Sequence, residues 1–225
     1  MAVIVFDVNE TLLDLSGLDQ PMRKVFGDRA GEVKRLWFAR LLHTSTVMTM
    51  LGTWQDFGTI GRAVLVDLGQ RLDLEVSEDQ ADEIVGIMAK LSAHEDVRPG
   101  LVQLTGAGLS LVALTNSGQA TAEAQLTSAG IDDLFDDILS VDAVLRFKPD
   151  TAVYDHVRDH LEQRASDLVM VATHDWDCAG ALKAGWRAGY VHRPGQAYNP
   201  LLQPPTFRGE DMIDLAQTML DSRSL

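Results

Sequence analysis

A chain of 225 residues, 46% of them hydrophobic, with a mean hydropathy near zero, is long enough for one full core plus a small second domain. Its formal net charge of −14 argues against nucleic acid or an anionic membrane as partner, and requires local cations wherever a small anion is to bind. One cysteine, Cys178, excludes an intrachain disulfide and a cysteine-based zinc cluster; with neither a signal-peptide pattern nor an apolar run of membrane length, the expected compartment is the cytoplasm.

Residues 2–6 are apolar and β-rich, the pattern of a buried parallel strand. The run breaks at Asp7, where a polar cluster begins. In open α/β sheets ligands sit beyond the carboxyl ends of the strands, and a carboxylate there can act as a nucleophile that forms a covalent ester. A strand-end aspartate can equally cap the following turn. After Asp14 the pattern is helical to about residue 91. Residues 35–51 carry a wide apolar stripe that ends at Gly52, a helix C′ glycine. Residues 54–72 repeat the helical pattern, and Ser77-x-x-Gln80 opens a third helix as a capping box. The expected division is a helical cap subdomain over 15–92, inserted into an α/β core made of 1–14 and 93–225; taken alone, the helices also suit a segregated α+β protein.

From Val97 the chain alternates. Arg98-Pro99-Gly100 opens a short helix, residues 109–114 form a strand ending in Thr115-Asn116-Ser117-Gly118, and a helix over 121–129 stops at Gly130. A short strand over 138–141 precedes Phe147-Lys148-Pro149-Asp150 and a helix over 151–163. A strand over 168–172 runs into Thr173-His174-Asp175-Trp176-Asp177 and a helix reaching Ala184, followed by a last strand over 187–191. Residues 193–208 hold four prolines and a glycine and are expected to be irregular; residues 212–220 close the chain as a helix. Such alternation predicts a doubly wound parallel sheet. Right-handed crossovers gather Asp7, Thr115-Asn116, Lys148 and the 173–177 cluster at one sheet edge, the edge from which the helical insertion leaves.

The ordered set Asp7-x-Asn9-x-Thr11, strand-Thr115-Asn116, Lys148-Pro149 and strand-x-x-His174-x-x-Asp177 resembles the haloacid dehalogenase superfamily. Ser140-Val141-Asp142, Val153-Tyr154 after the lysine motif, and Trp176-Asp177 followed by Gly180-Ala181 look most like its L-2-haloacid dehalogenase branch. The resemblance implies a Rossmann-like core with an inserted helical cap, and hydrolysis of 2-haloalkanoic acids (haloacetate, L-2-haloacids) to 2-hydroxyacids. By it, Asp7 displaces halide from C2 with inversion, and water then opens the aspartyl ester at its carbonyl carbon. Thr11 and Lys148 are implied to hold Asp7, and Asp177 to fix Lys148 or the water. Asn9, Phe38, Thr115, Asn116, Tyr154 and Trp176 are the implied substrate-binding set. For Thr115 and Asn116 the alternative is a strand-end cap, for Tyr154 a core position with its hydroxyl satisfied, and for Trp176 plain packing. Partners would be the small acid and water, with no cofactor; the branch is often dimeric, and the apolar cap helices are compatible with a homodimer.

Superfamily phosphatases bind Mg²⁺ through the nucleophile, an Asp two residues on, and acidic residues in the last motif. Asn9 and Thr173 stand at two of those places, which disfavours a hard cation and favours displacement at carbon. A Mg²⁺-dependent phosphatase of a small ester and a ligand-binding protein without turnover are the alternatives. Two departures from the branch matter. Phe38 follows Trp37 where the branch has an arginine that assists halide departure, and Arg40 lies most of a turn away. His174 replaces the usual asparagine; an imidazole titrating near neutrality is expected to activate the hydrolytic water, the alternative being a structural histidine. Ala172 also stands where the branch often has serine. Cys178 reads as packing, His43 and residues 48–51 as an apolar cap face or cavity lining, and His156 with His160 as a solvated i, i+4 pair.

Overall fold

The strand Val3–Phe6 (β1) is buried along its whole length, because its apolar residues face helices on both sides of the sheet. The computed structural model describes residues 2–222. In it β1 is central in a parallel sheet of six strands with Ser110–Thr115 (β2), Asp137–Ser140 (β3), Leu168–Ala172 (β4), Arg187–Val191 (β5) and Phe207–Gly209 (β6), in the order β3-β2-β1-β4-β5-β6. Phe6 is level with Ala113 and Val171, and the Asp7 N–H donates to the Val171 carbonyl at 2.9 Å. The register therefore delivers the ends of β1, β2 and β4 to one height, which is the topological switch point where chemistry is placed in open α/β sheets.

The segment between β1 and β2 folds as helices Asp19–Phe26 (α1), Ala30–Leu51 (α2), Phe57–Arg71 (α3) and Glu78–Ile87 (α4), followed by Val97–Gly106 (α5). α2 ends where Gly52 turns left-handed at φ 68°, and both bonds of the Ser77/Gln80 capping box are made. Trp37 of α2 is fully buried and its indole N–H donates to the Gly61 carbonyl of α3 at 2.9 Å. Where the chain leaves and returns, Asp14 N–H donates to Ser92 O and His94 N–H to Leu12 O, both at 2.9 Å, so the two connecting segments are stitched together. The far end of α2 reaches the lysine loop: Thr49 Oγ1 accepts the Phe147 N–H at 2.9 Å, and Trp54 stacks on Phe147 with ring centroids 4.5 Å apart.

The remaining helices, Gln119–Ser128 (α6), Thr151–His160 (α7), Asp175–Lys183 (α8) and Met212–Asp221 (α9), cover the sheet, with α5 packed on α9 and α7 on α8. Gly180 permits the last of these contacts: a Cβ there would lie 2.5 Å from the Tyr154 hydroxyl and 2.7 Å from Pro149. Most other boundaries shift from the sequence reading by one to three residues, and three differences are as large or larger, or add an element. α2 begins at Ala30, five residues before its apolar stripe; α7 stops at His160 because Glu162 turns left-handed (φ 51°); and β6 lies at the edge of the segment expected to be irregular. β6 has only three residues, Phe207-Arg208-Gly209, too few for a two-residue period to register. Among the described residues no helix is long and apolar enough to cross a membrane.

Candidate active site

Asp7 leaves the end of β1 only 4% exposed, and both of its carboxylate oxygens are taken by donors. Lys148 Nζ donates to Oδ1 at 2.7 Å; Thr11 Oγ1 donates to Oδ2 at 2.6 Å, and His174 Nδ1 lies 3.0 Å from the same oxygen. Thr11 is set by the turn after β1, in which Leu12 and Leu13 donate to the Val8 carbonyl. Its hydroxyl accepts the Thr173 N–H at 3.0 Å, and its carbonyl is held by the Arg193 guanidinium, which also grips Asp96.

Lys148 spends all three ammonium protons, on Asp7, on Asp177 Oδ2 at 2.6 Å and on the Leu114 carbonyl at 3.0 Å. The Tyr154 hydroxyl donates to Asp177 Oδ1 at 2.6 Å. This chain of groups is wholly buried, so charges interact strongly. Burial alone would protonate Asp7, but the Lys148 charge and the His174 hydrogen bond outweigh it and hold the carboxyl well below the usual range. Burial also opposes the Lys148 charge, yet Asp177 and Asp7 together raise its pKa. Two carboxylates share that ammonium, and only Asp7 has a second cation. Burial therefore pushes Asp177 up despite Lys148, making it the member of the pair that accepts a proton first.

His174 departs from expectation. Nδ1 faces Asp7 and Nε2 faces Glu10 Oε2, each at 3.0 Å, so both nitrogens must carry hydrogen to satisfy two carboxylates. Burial disfavours the cation, but the hydrogen bonds to Asp7 and Glu10 prevail and raise the pKa to about 9. The resting side chain is thus an imidazolium at neutral pH, where the sequence reading had a neutral base titrating near 6.5. Its ring lies between Phe38 and Trp176, with centroids 6.2 and 5.0 Å away and interplanar angles of 27° and 25°. Aromatic faces on both sides suit a buried cation.

A cavity of about 830 Å³ opens between α2 and the sheet edge, with Glu10, Phe38, Lys148, His174, Trp176 and Arg193 on its wall. Asp7 lies one layer beneath, in contact with Lys148 and His174 of that wall. Several residues of the implied substrate-binding set do not line the cavity. Asn9 donates to Ser117 Oγ and accepts from Gln125, which also reaches the Met88 carbonyl of the helical insertion. Thr115 Oγ1 accepts the Ser117 N–H, as a strand-end cap does, and Asn116 Oδ1 accepts the Lys148 N–H at 3.1 Å. Tyr154 is fully buried against Asp177, with its hydroxyl satisfied. These four brace the Asp7 cluster from behind. Phe38 and Trp176 do face the cavity. Arg40 is turned away into an ion pair with Asp67 at 3.0 Å.

Sequence reasoning missed Glu10, one of the two unassigned positions between Asp7 and Thr11, because no periodicity marks it; its signal is a charged residue where the chain must turn. His43 lines the cavity, whereas Met50 and Leu51 are largely exposed. His160 pairs with Asp137 at the surface, and Cys178 is buried in packing, as read. The donor set does not suit Mg²⁺: both Asp7 oxygens are occupied by cationic or hydroxyl donors, and the Asn9 carbonyl is taken by Gln125. Among the described residues no group of three or more His, Cys, Asp or Glu is placed to hold a metal.

A model of the haloacid dehalogenase-like hydrolases matches residues 1–185. Curated relatives include (S)-2-haloacid dehalogenase 2 of Pseudomonas sp. (strain CBS-3), 26% identical over 90% of this chain and 88% of that one. The (S)-2-haloacid dehalogenase 4A of Burkholderia cepacia is 28% identical over 85% and 83%. A solved structure of the L-2-haloacid dehalogenase from Xanthobacter autotrophicus, with chloropropionic acid covalently bound, superposes with a TM-score of 0.92 over 98% of this chain and 99% of that one, at 22% identity. That last likeness is one of fold.

Proposed function

The chain belongs to the haloacid dehalogenase-like hydrolase family, and we propose that within it the protein is a dehalogenase converting 2-haloalkanoic acids to 2-hydroxyacids. One observation carries this reading: the Asp7 carboxylate, at the end of the central strand, is kept ionised by two buried cations, Lys148 and His174. A carboxylate held in this way can attack a saturated carbon without a metal. The names of the relatives, (S)-2-haloacid dehalogenases and a haloacetate dehalogenase, support the same substrate class.

In the first step an Asp7 oxygen bonds to C2 as the C2–halogen bond breaks, and the electron pair leaves with the halide. The substrate comes from the cavity between Lys148 and His174, with Phe38 and Trp176 against its apolar part. Arg35 on the cavity wall, beside Lys34 in its ion pair with Asp19, supplies the local positive charge that a chain of net charge −14 must offer an anionic acid. In the second step water attacks Cγ of the ester, releasing the 2-hydroxyacid and restoring Asp7. Lys148, fixed by Asp177 and Tyr154, stabilises the carboxylate at both ends of the cycle. Residues 15–92 act as the cap over a core formed by 1–14 and 93–225. No cofactor enters this chemistry. A cytoplasmic location and a homodimer complete the reading.

The test is a paired assay. Halide release from chloroacetate and L-2-chloropropionate is expected in the presence of chelator, with no phosphate release from small phosphate esters under Mg²⁺. Phosphate release without halide release would overturn the reading in favour of the phosphatase.

A further inference from the structure

Thr11 holds Asp7 Oδ2 through a hydroxyl, and the aim of that hydroxyl depends on the Thr11 backbone. Threonine is stiff at χ1, so the direction of Oγ1 follows the main chain with little freedom of its own. The turn around Thr11 is already held by two N–H groups on the Val8 carbonyl, and the segments behind it by the Asp14–Ser92 and His94–Leu12 backbone bonds. None of these bonds reaches the Thr11 carbonyl. Among the described residues its donors are Nε and Nη2 of Arg193, at 3.1 and 2.9 Å.

Arg193 follows β5, is 6% exposed, and lies past residues 1–185 that the family model matches. Its Nη1 donates to both oxygens of Asp96, at 2.9 and 2.8 Å. Asp96 stands just before α5, and its Oδ2 also accepts the Met212 N–H at 2.6 Å, where α9 begins and packs against α5. Burial works against the Asp96 charge, but the Met212 N–H and the guanidinium outweigh it and keep the carboxyl below its ordinary value. The planar fork of an arginine can grip a carbonyl and a carboxylate at once; the point charge of a lysine cannot. Contacts thus run from α9 through Asp96 and Arg193 to Thr11, and from Thr11 to Asp7.

We propose that Arg193 is a positioning residue for the nucleophile: by fixing the Thr11 peptide plane it fixes the hydroxyl that sets the plane of the Asp7 carboxylate. The inference rests on the aspartyl-ester reading given above. In that reaction an Asp7 oxygen meets C2 in line with the departing halide, so rotation of the carboxylate about Cβ–Cγ misplaces the reacting atom. Lys148 anchors Oδ1, whereas Oδ2 takes its direction from Thr11 and His174 together. Losing the aim of Thr11 turns the carboxylate without removing its charge. Arg193 also lies on the cavity wall, so the alternative is a cation that simply attracts the substrate anion. Its bonds to Asp96 and Thr11 argue against that role, because they already engage the guanidinium on the side of the hinge.

Two measurements test the proposal. In the first, wild type, Arg193→Lys and Asp96→Asn are mixed rapidly with chloroacetate over a range of concentrations, and the halide burst gives a rate constant and a half-saturating concentration. Arg193→Lys keeps the charge beside Asp96 but loses the fork. Its burst rate constant is expected to fall on the order of 10²-fold, as for a misplaced reacting group, at an unchanged half-saturating concentration. Asp96→Asn keeps the guanidinium but loosens it, and should lower the rate constant in the same direction. A wild-type rate constant in folded Arg193→Lys overturns the proposal. So does tighter substrate binding with an undiminished rate in Asp96→Asn, which would make Arg193 a substrate-attracting cation. The second measurement needs no substrate. The ¹³C-labelled Thr11 methyl, assigned by its loss in Thr11→Ser, should shift in Arg193→Lys while that of Thr127 on α6 does not; an unmoved Thr11 signal overturns the proposal. A wild type that releases no halide, beside a Thr11 methyl that does respond, overturns the dehalogenase reading and leaves the coupling of Arg193 to Thr11 standing.

Discussion

Asp7 and His174 together set the pH behaviour of the molecule, and their signs are opposite. The folded-state pKa of His174 is raised from 6.5 to about 9, so its contribution to stability is present in full below about 6.5 and is lost as pH rises through about 9. Asp7 is lowered, so its contribution is present above its ordinary value of 3.8 and is lost only as pH falls below it. Unfolding free energy from urea titrations should therefore decline between about pH 6.5 and about pH 9, and His174→Gln should flatten that decline. A wild-type curve without it would mean that the imidazole is neutral in the fold. Chemistry at the same pair is tested by Asp7→Asn, which should abolish turnover while keeping the circular dichroism of the wild type. Single-turnover reaction of the wild type in ¹⁸O water should label Asp7 before product. Label passing straight into product would exclude the ester.

At the scale of elements, the site depends on how closely α7 and α8 approach. Gly180 of α8 leaves room for Tyr154 of α7 to reach Asp177, which in turn aims Lys148 at Asp7. Gly180→Ala places a methyl group into the Tyr154 hydroxyl and Pro149, and overpacking of this kind costs about 1–3 kcal/mol. A lowered Tm together with a reduced kcat is expected; a lowered Tm with kcat intact would mean that Tyr154 is only packing. Elements of this sort differed in how readable they were. β4 is a continuous apolar run and β5 an Arg187-led stretch buried from Ala188 onward; both were legible to the residue, and β1 differed only by Ala2 at its start. Gly52 and the Ser77/Gln80 box marked helix ends by local chemistry alone. What the sequence did not disclose depends on which way side chains turn from a known backbone. Asn9, Thr115 and Asn116 belong to site motifs yet point into the bracing layer, and Glu10 meets the His174 ring from a backbone that turns left-handed. The charge state of His174 was equally out of reach, since it depends on carboxylates 167 and 164 residues away in the chain.

For the whole molecule, the decisive quantity is the conflict between a net charge of −14 and a cavity that must admit an anion. The two act over different distances. At about 10 mM salt the Debye length is about 30 Å, so an approaching haloacid feels the full negative field; at about 100 mM it is about 10 Å, and only charges near the cavity are felt. Those include Arg35 on the wall, together with Lys34 and the buried Arg193, which are held in ion pairs with Asp19 and Asp96. Raising salt through the first range should therefore increase kcat/KM for an anionic substrate, because repulsion is screened first. Further salt should lower it again, once the lysine and arginines of the cavity are themselves screened. The rise belongs to the overall charge and the fall to the local cations, so an Arg35→Ser variant should keep the first and lose much of the second. A monotonic rise in wild type would mean that Lys34 and Arg35 do not guide the substrate. Attraction would then begin only where Lys148 and His174 flank Asp7, inside the cavity, at distances where salt has little access.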